Sequence, residues 1–276
     1  MKKRLVVFTG IAVAVASFIK SIFDTKIIKI NRLQLQSSKL PKAANLNIMQ
    51  ISDLHNKEFG KGNKQLIAKV NELNPDIIVI TGDLINRQTK YFHKVFSFIE
   101  QITDKHAVYF VTGNHEWENP VKDVFLNGLK ARNVVILNNE NMNFTKANTV
   151  LNIVGVDDVS TENENIEKAF NGLTKDRYTL LLSHAPDVAL IYNDLPADLI
   201  LSGHTHGGQI RLPFIGALTA PGQGFFPKYD KGIFSISEGQ KLHIDSGLGT
   251  VHIPVRFFNQ SQVSFIQLVN PDNRQQ

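Results

Sequence analysis

Ile77-Ile78-Val79-Ile80-Thr81-Gly82-Asp83-Leu84-Ile85-Asn86 carries the reading of the fold. The run is short, rich in Ile and Val, and closes on a polar cluster. That is the mark of a strand buried on both faces. The same signature recurs at Leu46–Ile51, Val108–Thr112, Val134–Leu137, Leu151–Val156, Leu180–Ser183, Leu199–Ser202, Ile233–Ile236, Leu242–Ile244 and Val263–Leu268. Helical spacing appears between the early runs, in Gln65, Leu66, Val70 and Leu73 and again in Phe92, Val95, Phe96 and Ile99. Pro120 suits the first turn of a helix running towards Arg132. Strand–helix alternation predicts a layered α/β fold, and the strand-rich end makes the sheet mixed.

Polar clusters that can carry chemistry follow these runs. They are Asp53-Leu54-His55, Gly82-Asp83, Gly113-Asn114-His115-Glu116, Ser183-His184 and Gly203-His204-Thr205-His206-Gly207-Gly208. Ligands of open α/β sheets gather beyond the carboxyl ends of the strands, so parallel strands would bring these clusters to one edge. Taken singly, each cluster has an ordinary structural reading as a turn, a helix cap or a hydrogen-bonded histidine. Taken together, two aspartates, one asparagine and five histidines at successive strand ends point to metal. Two divalent ions about 3.5–4 Å apart can hold a bridging hydroxide and clamp both oxygens of an in-line phosphoryl displacement. A carboxylate can bridge such a pair, neutral imidazoles bind without adding negative charge, and glycines leave room for phosphate.

Composition narrows the choice. The chain has 276 residues, 42% hydrophobic and 20% charged, enough for a sizeable core. It has no cysteine, which excludes disulfides, zinc-thiolate sites, iron–sulfur clusters and a thiol nucleophile. Any metal must then be held by His, Asp, Glu, Asn or water, ligands that suit manganese, iron, zinc or nickel better than copper(I). The net charge of +5 suits anionic substrates or an anionic membrane surface.

The ordered set Asp-x-His, Gly-Asp, Gly-Asn-His, lone His and Gly-His-x-His resembles the calcineurin-like metallophosphoesterases from about Leu46 to Val269. The resemblance implies a four-layer α/β/β/α sandwich of two mixed sheets with two metals at its top. It implies that Asp53, His55 and His206 hold one ion, that Asn114, His184 and His204 hold the other, and that Asp83 bridges. It gives His115 a catalytic role over the phosphate, assisting the leaving group. Many relatives pair this histidine with an Asp at the position of Asn86, so Asn86 is expected to weaken it as an acid. The stretches His204–Pro213, Gly247–Thr250 and Pro254–Arg256 resemble the membrane-anchored bacterial branch, which includes enzymes similar to UDP-diacylglucosamine pyrophosphatase.

Arg87, Arg211 and Arg256 are candidate phosphate contacts, because guanidinium matches phosphate geometry. Trp117 either stacks on a leaving group or packs. Phe225-Phe226 and Phe257-Phe258 are either core or an apolar rim for a lipid tail. His252 is a candidate cleft residue, while His93, His106 and His243 read as surface or packing residues.

At the N-terminus, Lys2-Lys3-Arg4 precede an apolar stretch from Leu5. With Phe23 included and Lys20 snorkelling, it approaches the ~20 residues a spanning helix needs. Residues 1–24 are therefore read as an uncleaved signal anchor, with a cleaved signal or a buried or interfacial helix as alternatives. The basic end stays cytoplasmic, which puts the catalytic domain on the outer side of the cytoplasmic membrane. Residues 25–45 read as a tether with one edge strand at Lys26 to Ile30, 46–270 as the catalytic domain and 271–276 as a polar tail. Every motif lies after Lys39, so a chain starting there is expected to be soluble and active.

The expected function is hydrolysis of a phosphodiester or pyrophosphate on a phosphorylated small molecule, a lipid or a cell-envelope polymer. A nuclease or cyclic-nucleotide phosphodiesterase is the alternative enzyme. Without a dense basic-aromatic stretch, no nucleic-acid partner is expected. A metal-stabilised binding scaffold is the non-enzyme alternative. The sequence leaves oligomeric state open.

Overall fold

The computed structural model describes residues 2–192, 194–251 and 253–272. After helix α1 (Lys2–Lys26) come β1 (Lys29–Gln36) and β2 (Asn45–Ile51), then α2 (Lys64–Leu73), β3 (Ile77–Thr81), α3 (His93–Thr103), β4 (Ala107–Val111), α4 (Asn114–Trp117), α5 (Lys122–Lys130) and β5 (Val134–Ile136). The second half holds β6 (Glu140–Lys146), β7 (Thr149–Gly155), α6 (Ile166–Phe170), β8 (Thr179–Leu182), α7 (Val188–Ile191) and β9 (Leu199–Ser202). Two short ribbons follow, β10 (Arg211–Leu212) with β11 (Gly216–Ala217) and β12 (Thr219–Ala220) with β13 (Gly224–Phe225). The last strands are β14 (Gly232–Ser237), β15 (Gln240–Ile244) and β16 (Gln262–Val269).

These strands build two six-stranded mixed sheets, ordered β1-β16-β2-β3-β4-β5 and β14-β15-β9-β8-β7-β6. Strands β2 to β5 run parallel, as do β7, β8, β9 and β15, while β16 runs antiparallel to β2. Side-chain alternation along a strand explains why the runs are apolar on both faces. In β3, Ile78 and Ile80 pack outward against α2, α3 and α5, while Ile77 and Val79 face the second sheet. In β8 and β9, Leu181 and Ile200 belong to the outer cluster with α6 and α7, and Leu180, Leu182, Leu199 and Leu201 to the inter-sheet core. The result is the expected α/β/β/α sandwich.

The N-terminal boundary differs from the expectation. Residues 29–36 are not a tether. β1 pairs in parallel with β16 over its whole length, from Lys29 opposite Gln262 to Gln36 opposite Val269. Ile30 packs on the outer core, while Leu33 and Leu35 reach the inter-sheet core. The polar residues between them misled the reading, because an edge strand keeps half its surface in water. Of the expected tail, residues 273–276 lie outside the described residues, and so does His252.

A chain beginning near Lys39 is therefore expected to fail where one beginning near Ser21, which keeps the last turn of α1 and all of β1, succeeds. Losing the buried Leu35 removes about 1.5–3 kcal/mol and losing the half-buried Ile30 and Leu33 removes less for each, together a large share of a typical ~5–15 kcal/mol. It also bares the edge of β16. Thermal unfolding and light scattering of the two chains check this, and equal melting temperatures would contradict it.

Candidate metal centre

All the sequence clusters meet at one edge of the two sheets, because each follows a parallel strand. Asp53 follows β2, Asp83 follows β3 and Asn114-His115 follow β4, while His184 follows β8 and His204 and His206 follow β9. The loops after β2 and β3 are zipped together, with Asp53 N–H donating to Gly82 O and His55 N–H to Asp83 O. Asp53, His55, Asp83, His204 and His206 all have φ between 50° and 67°. Left-handed backbone at non-glycine residues is strained and collects at functional sites. Gly82 turns at φ +83°, where a Cβ would lie 2.5 Å from His184 Nδ1.

The donor atoms form two groups that share one oxygen. His55 Nε2 and His206 Nε2 are 3.0 Å apart, and His206 Nε2 is 3.4 Å from Asp53 Oδ1. Asp83 Oδ2 lies 3.6 Å from His55 Nε2 and 3.2 Å from His184 Nε2, which is itself 3.2 Å from His204 Nδ1. Donors about 2.1 Å from a common ion stand roughly 3–3.4 Å apart, so these spacings fit cations. Asn114 Oδ1, His55 Nδ1 and His206 Nδ1 are buried without a hydrogen-bond partner among the described residues. Buried polar atoms are rarely left so, and Asn114 lines the same central cavity as Asp83 and His204, which suits a ligand. His184 Nδ1 lies 2.7 Å from Thr81 O, which makes it the donor and turns Nε2 towards Asp83.

Electrostatics points the same way. Burial pushes His55 and His204 down to about 3 and His206 well below its usual value, so these rings are neutral, the ligating form. Burial, reinforced by the Asp83 carboxylate against the pull of His184, pushes Asp53 up to about 7. Burial also opposes charge on Asp83 and His184, yet their mutual attraction holds Asp83 well below and His184 well above their ordinary values. The cluster thus demands positive charge, which a proton on His184 meets and a divalent ion would meet better.

The other expected residues divide. Arg87 borders the 150 Å³ cavity at the centre, alongside Asp83, Asn114, His115, His204 and His206. Its guanidinium is paired with Glu118 and lies 2.7 Å from His115 Nε2. Arg211 does not face the centre but binds Asp230 and Gly207 O. Arg256, expected at the substrate, is fully buried behind the site and donates to Gly249 O and Ser246 O. Asn86 does not touch the His115 ring; its amide donates to His55 O. Trp117 packs, with its Nε1–H donating to Asp157, and His243 lies buried between Gly232 O and Ser264.

Sequence reasoning missed the supports. The Glu116 carboxylate accepts the N–H groups of Asp83, Gly113 and Ile85, holding the loops after β3 and β4 together. Burial and the nearby Asp83 push it up to about 8. Asp245 accepts from Gly247 N–H, Gln262 and Ser264, fixing the loop whose Gly249 N–H reaches Asp53 O. Asp245 had a signal, since it too directly follows an apolar strand run.

Residues 46–208 match the sequence profile of the calcineurin-like phosphoesterases. The chain belongs to that family. Membership makes this metallophosphoesterase a phosphoester hydrolase with a divalent metal centre, which sets the scaffold reading aside. Its relatives include the uncharacterized metallophosphoesterase YkoQ of Bacillus subtilis, 29% identical over 94% of this chain and 97% of that protein. They also include a transmembrane protein with a metallophosphoesterase domain from Danio rerio, 28% identical over 87% of this chain and 57% of that protein. A distant likeness in backbone is found in TT1561 of Thermus thermophilus, with TM-score 0.49 and 12% identity over 74% of this metallophosphoesterase and 91% of that chain.

Because Asp83 Oδ2 faces both donor groups, Asp83→Ala is expected to lower occupancy at both metal positions, whereas His184→Ala should weaken chiefly one. Elemental analysis of the purified variants decides it. Two full-occupancy ions in Asp83→Ala would contradict the shared role.

Proposed function

We propose that this metallophosphoesterase hydrolyses phosphodiester or pyrophosphate bonds at a pair of divalent ions, manganese foremost, with iron, zinc and nickel as alternatives. The observation that carries the reading is the single Asp83 oxygen within 3.6 Å of His55 and 3.2 Å of His184. In this assignment Asp53, His55 and His206 hold one ion, Asn114, His184 and His204 the other, and Asp83 bridges. Bound ions supply Lewis-acid neutralisation of the phosphoryl oxygens and an activated water.

The remaining work falls to Arg87 and His115. An anionic phosphate in the central cavity competes with His115 for the Arg87 guanidinium, which Glu118 keeps in reach. Burial, then the Arg87 cation, holds His115 below its usual value even though Asp83 acts to raise it. Arrival of the phosphate frees Nε2 and favours a proton there, ready for the departing oxygen. Among the described residues no carboxylate hydrogen-bonds to this ring, so His115 is a modest acid.

His115→Ala is expected to keep its metals and lose activity, by about 10²–10³-fold on alkyl esters and less on nitrophenyl esters, whose leaving group needs little protonation. Steady-state kinetics on both ester types, beside metal analysis, checks this. Equal losses would make His115 a charge stabiliser, and a lost ion would make it a ligand. Arg87→Ala should lower kcat/KM by about tenfold or more on both esters.

The substrate in this reading is a lipid or cell-envelope phosphoester, and α1 is an uncleaved anchor that puts the catalytic domain outside the cytoplasmic membrane. In support, α1 spans 25 residues with a mean hydropathy of 2.1 over its most apolar window, and none of that window is buried. The basic Lys2, Lys3 and Arg4 at its start favour a cytoplasmic N-terminus, and a relative is named as transmembrane. The full chain should resist alkaline carbonate extraction and be cut by protease added to spheroplasts. Soluble protein in the cytosol would overturn the anchor, and protection from protease would reverse its orientation.

A further inference from the structure

The last turn of α1 is built into the catalytic domain. The Lys57 ammonium donates to Thr25 O at 2.6 Å, Arg256 N–H donates to Thr25 Oγ1 at 2.8 Å, and Ser261 N–H donates to Asp24 O at 2.7 Å. Strand β1 follows at once. A helix fastened in this way fixes which face of the domain meets the bilayer.

That face carries an unusual surface. The Lys20 ammonium of α1 lies 5.3 Å from the Phe258 ring, and Phe258 packs edge-on against Phe257 at 4.5 Å. Phe257 is hydrogen-bonded through its backbone to Gln209 and Arg211, where the first ribbon begins. The ribbons carry Phe214, Ile215, Phe225 and Phe226 into solvent, with Phe214 fully exposed and Phe225 at 79%, and Ile253 and Phe258 are exposed beside them. Large apolar side chains contiguous with a membrane helix do not belong in water. An exposed Lys228 and a net charge of +5 suit an anionic surface. A groove of about 540 Å³ runs between the ribbons and Ile253, lined by Ile210, Leu218, Phe225 and Ile253. His206, Pro221 and Val251 line both this groove and the central cavity.

We propose that the ribbons and the 253–258 loop form a second membrane contact beside α1, and that the groove receives the hydrocarbon chain of a bilayer lipid whose phosphoester reaches the metal centre. The contact rests on α1 as the membrane anchor; the groove's occupant rests in addition on the phosphoesterase reading.

The cysteine-free sequence allows a direct test with the full chain in vesicles of phosphatidylglycerol and phosphatidylcholine. A fluorophore on Phe214→Cys is expected to be quenched by lipids bearing a nitroxide on the acyl chain. One on Asn148→Cys, at the β6–β7 turn on the opposite edge of the sheets, should not be. Equal quenching at both positions, or none at 214, overturns the contact. For the groove, methyl and dodecyl nitrophenyl phosphates share one leaving group and differ only in the chain. The dodecyl ester should have the higher kcat/KM by about tenfold or more, and Leu218→Ser should abolish that ratio. A ratio near one, or one that survives in Leu218→Ser through partitioning, overturns the groove. Failure of the unaltered protein to turn over the methyl ester overturns the phosphoesterase reading and with it the groove's occupant, and the quenching result then decides the contact independently.

Discussion

The Asp83 carboxylate is the constraint around which the site is arranged. One of its oxygens faces His55 from one side and His184 from the other, and its second oxygen accepts the His115 N–H. Burying such a group is costly unless positive charge surrounds it. The neighbouring rings divide that task. His184 carries charge readily, while His55, His204 and His206 are held neutral by burial. Asp53, a second buried carboxylate close by, gives up part of its own acidity. Such a cluster is stable with cations and frustrated without them.

Strained backbone delivers the cluster, and a ring of supports holds the strain in place. Five of the donor residues occupy left-handed conformations, which a free loop would relax. Glu116 ties three N–H groups of the loops after β3 and β4, and Asp245 ties the loop that backs Asp53. The buried Arg256 guanidinium closes the circle by holding the carbonyls of Ser246 and Gly249. Burial pushes this guanidinium down to about 10, so it remains charged and faces the carboxylates of Asp53 and Asp245. Arg256 thereby supports the metal loops from behind, while its backbone N–H binds the end of α1.

That double duty joins α1 to the centre. Lys57, two residues after His55, donates to Thr25 O and Leu248 O, so the same loop that carries a donor also grips the end of α1. Burial pushes the Lys57 ammonium down to about 7, a sign of how dry this junction is. The end of α1 and the loops that carry the donors are thus joined by direct hydrogen bonds.

The sequence by itself determined the sheets and the identity of the clustered residues. Strands buried on both faces must be apolar at every position, so β3 and β9 were legible from Ile77–Thr81 and Leu199–Ser202. Their polar ends were legible for the same reason, because a parallel strand must stop in a loop at the shared edge. The edge strand β1 was obscured, since Asn31, Arg32 and Gln34 satisfy only one-sided burial and resemble a linker. Tertiary structure alone decided which charged groups face the centre. Arg87, Arg211 and Arg256 are equivalent in sequence, yet one borders the cavity, one pairs with Asp230 and one is buried as a strut. Asn86 stands three residues after Asp83, but its amide supports the His55 carbonyl. A side chain's direction depends on partners that are distant in sequence, and no local pattern encodes them.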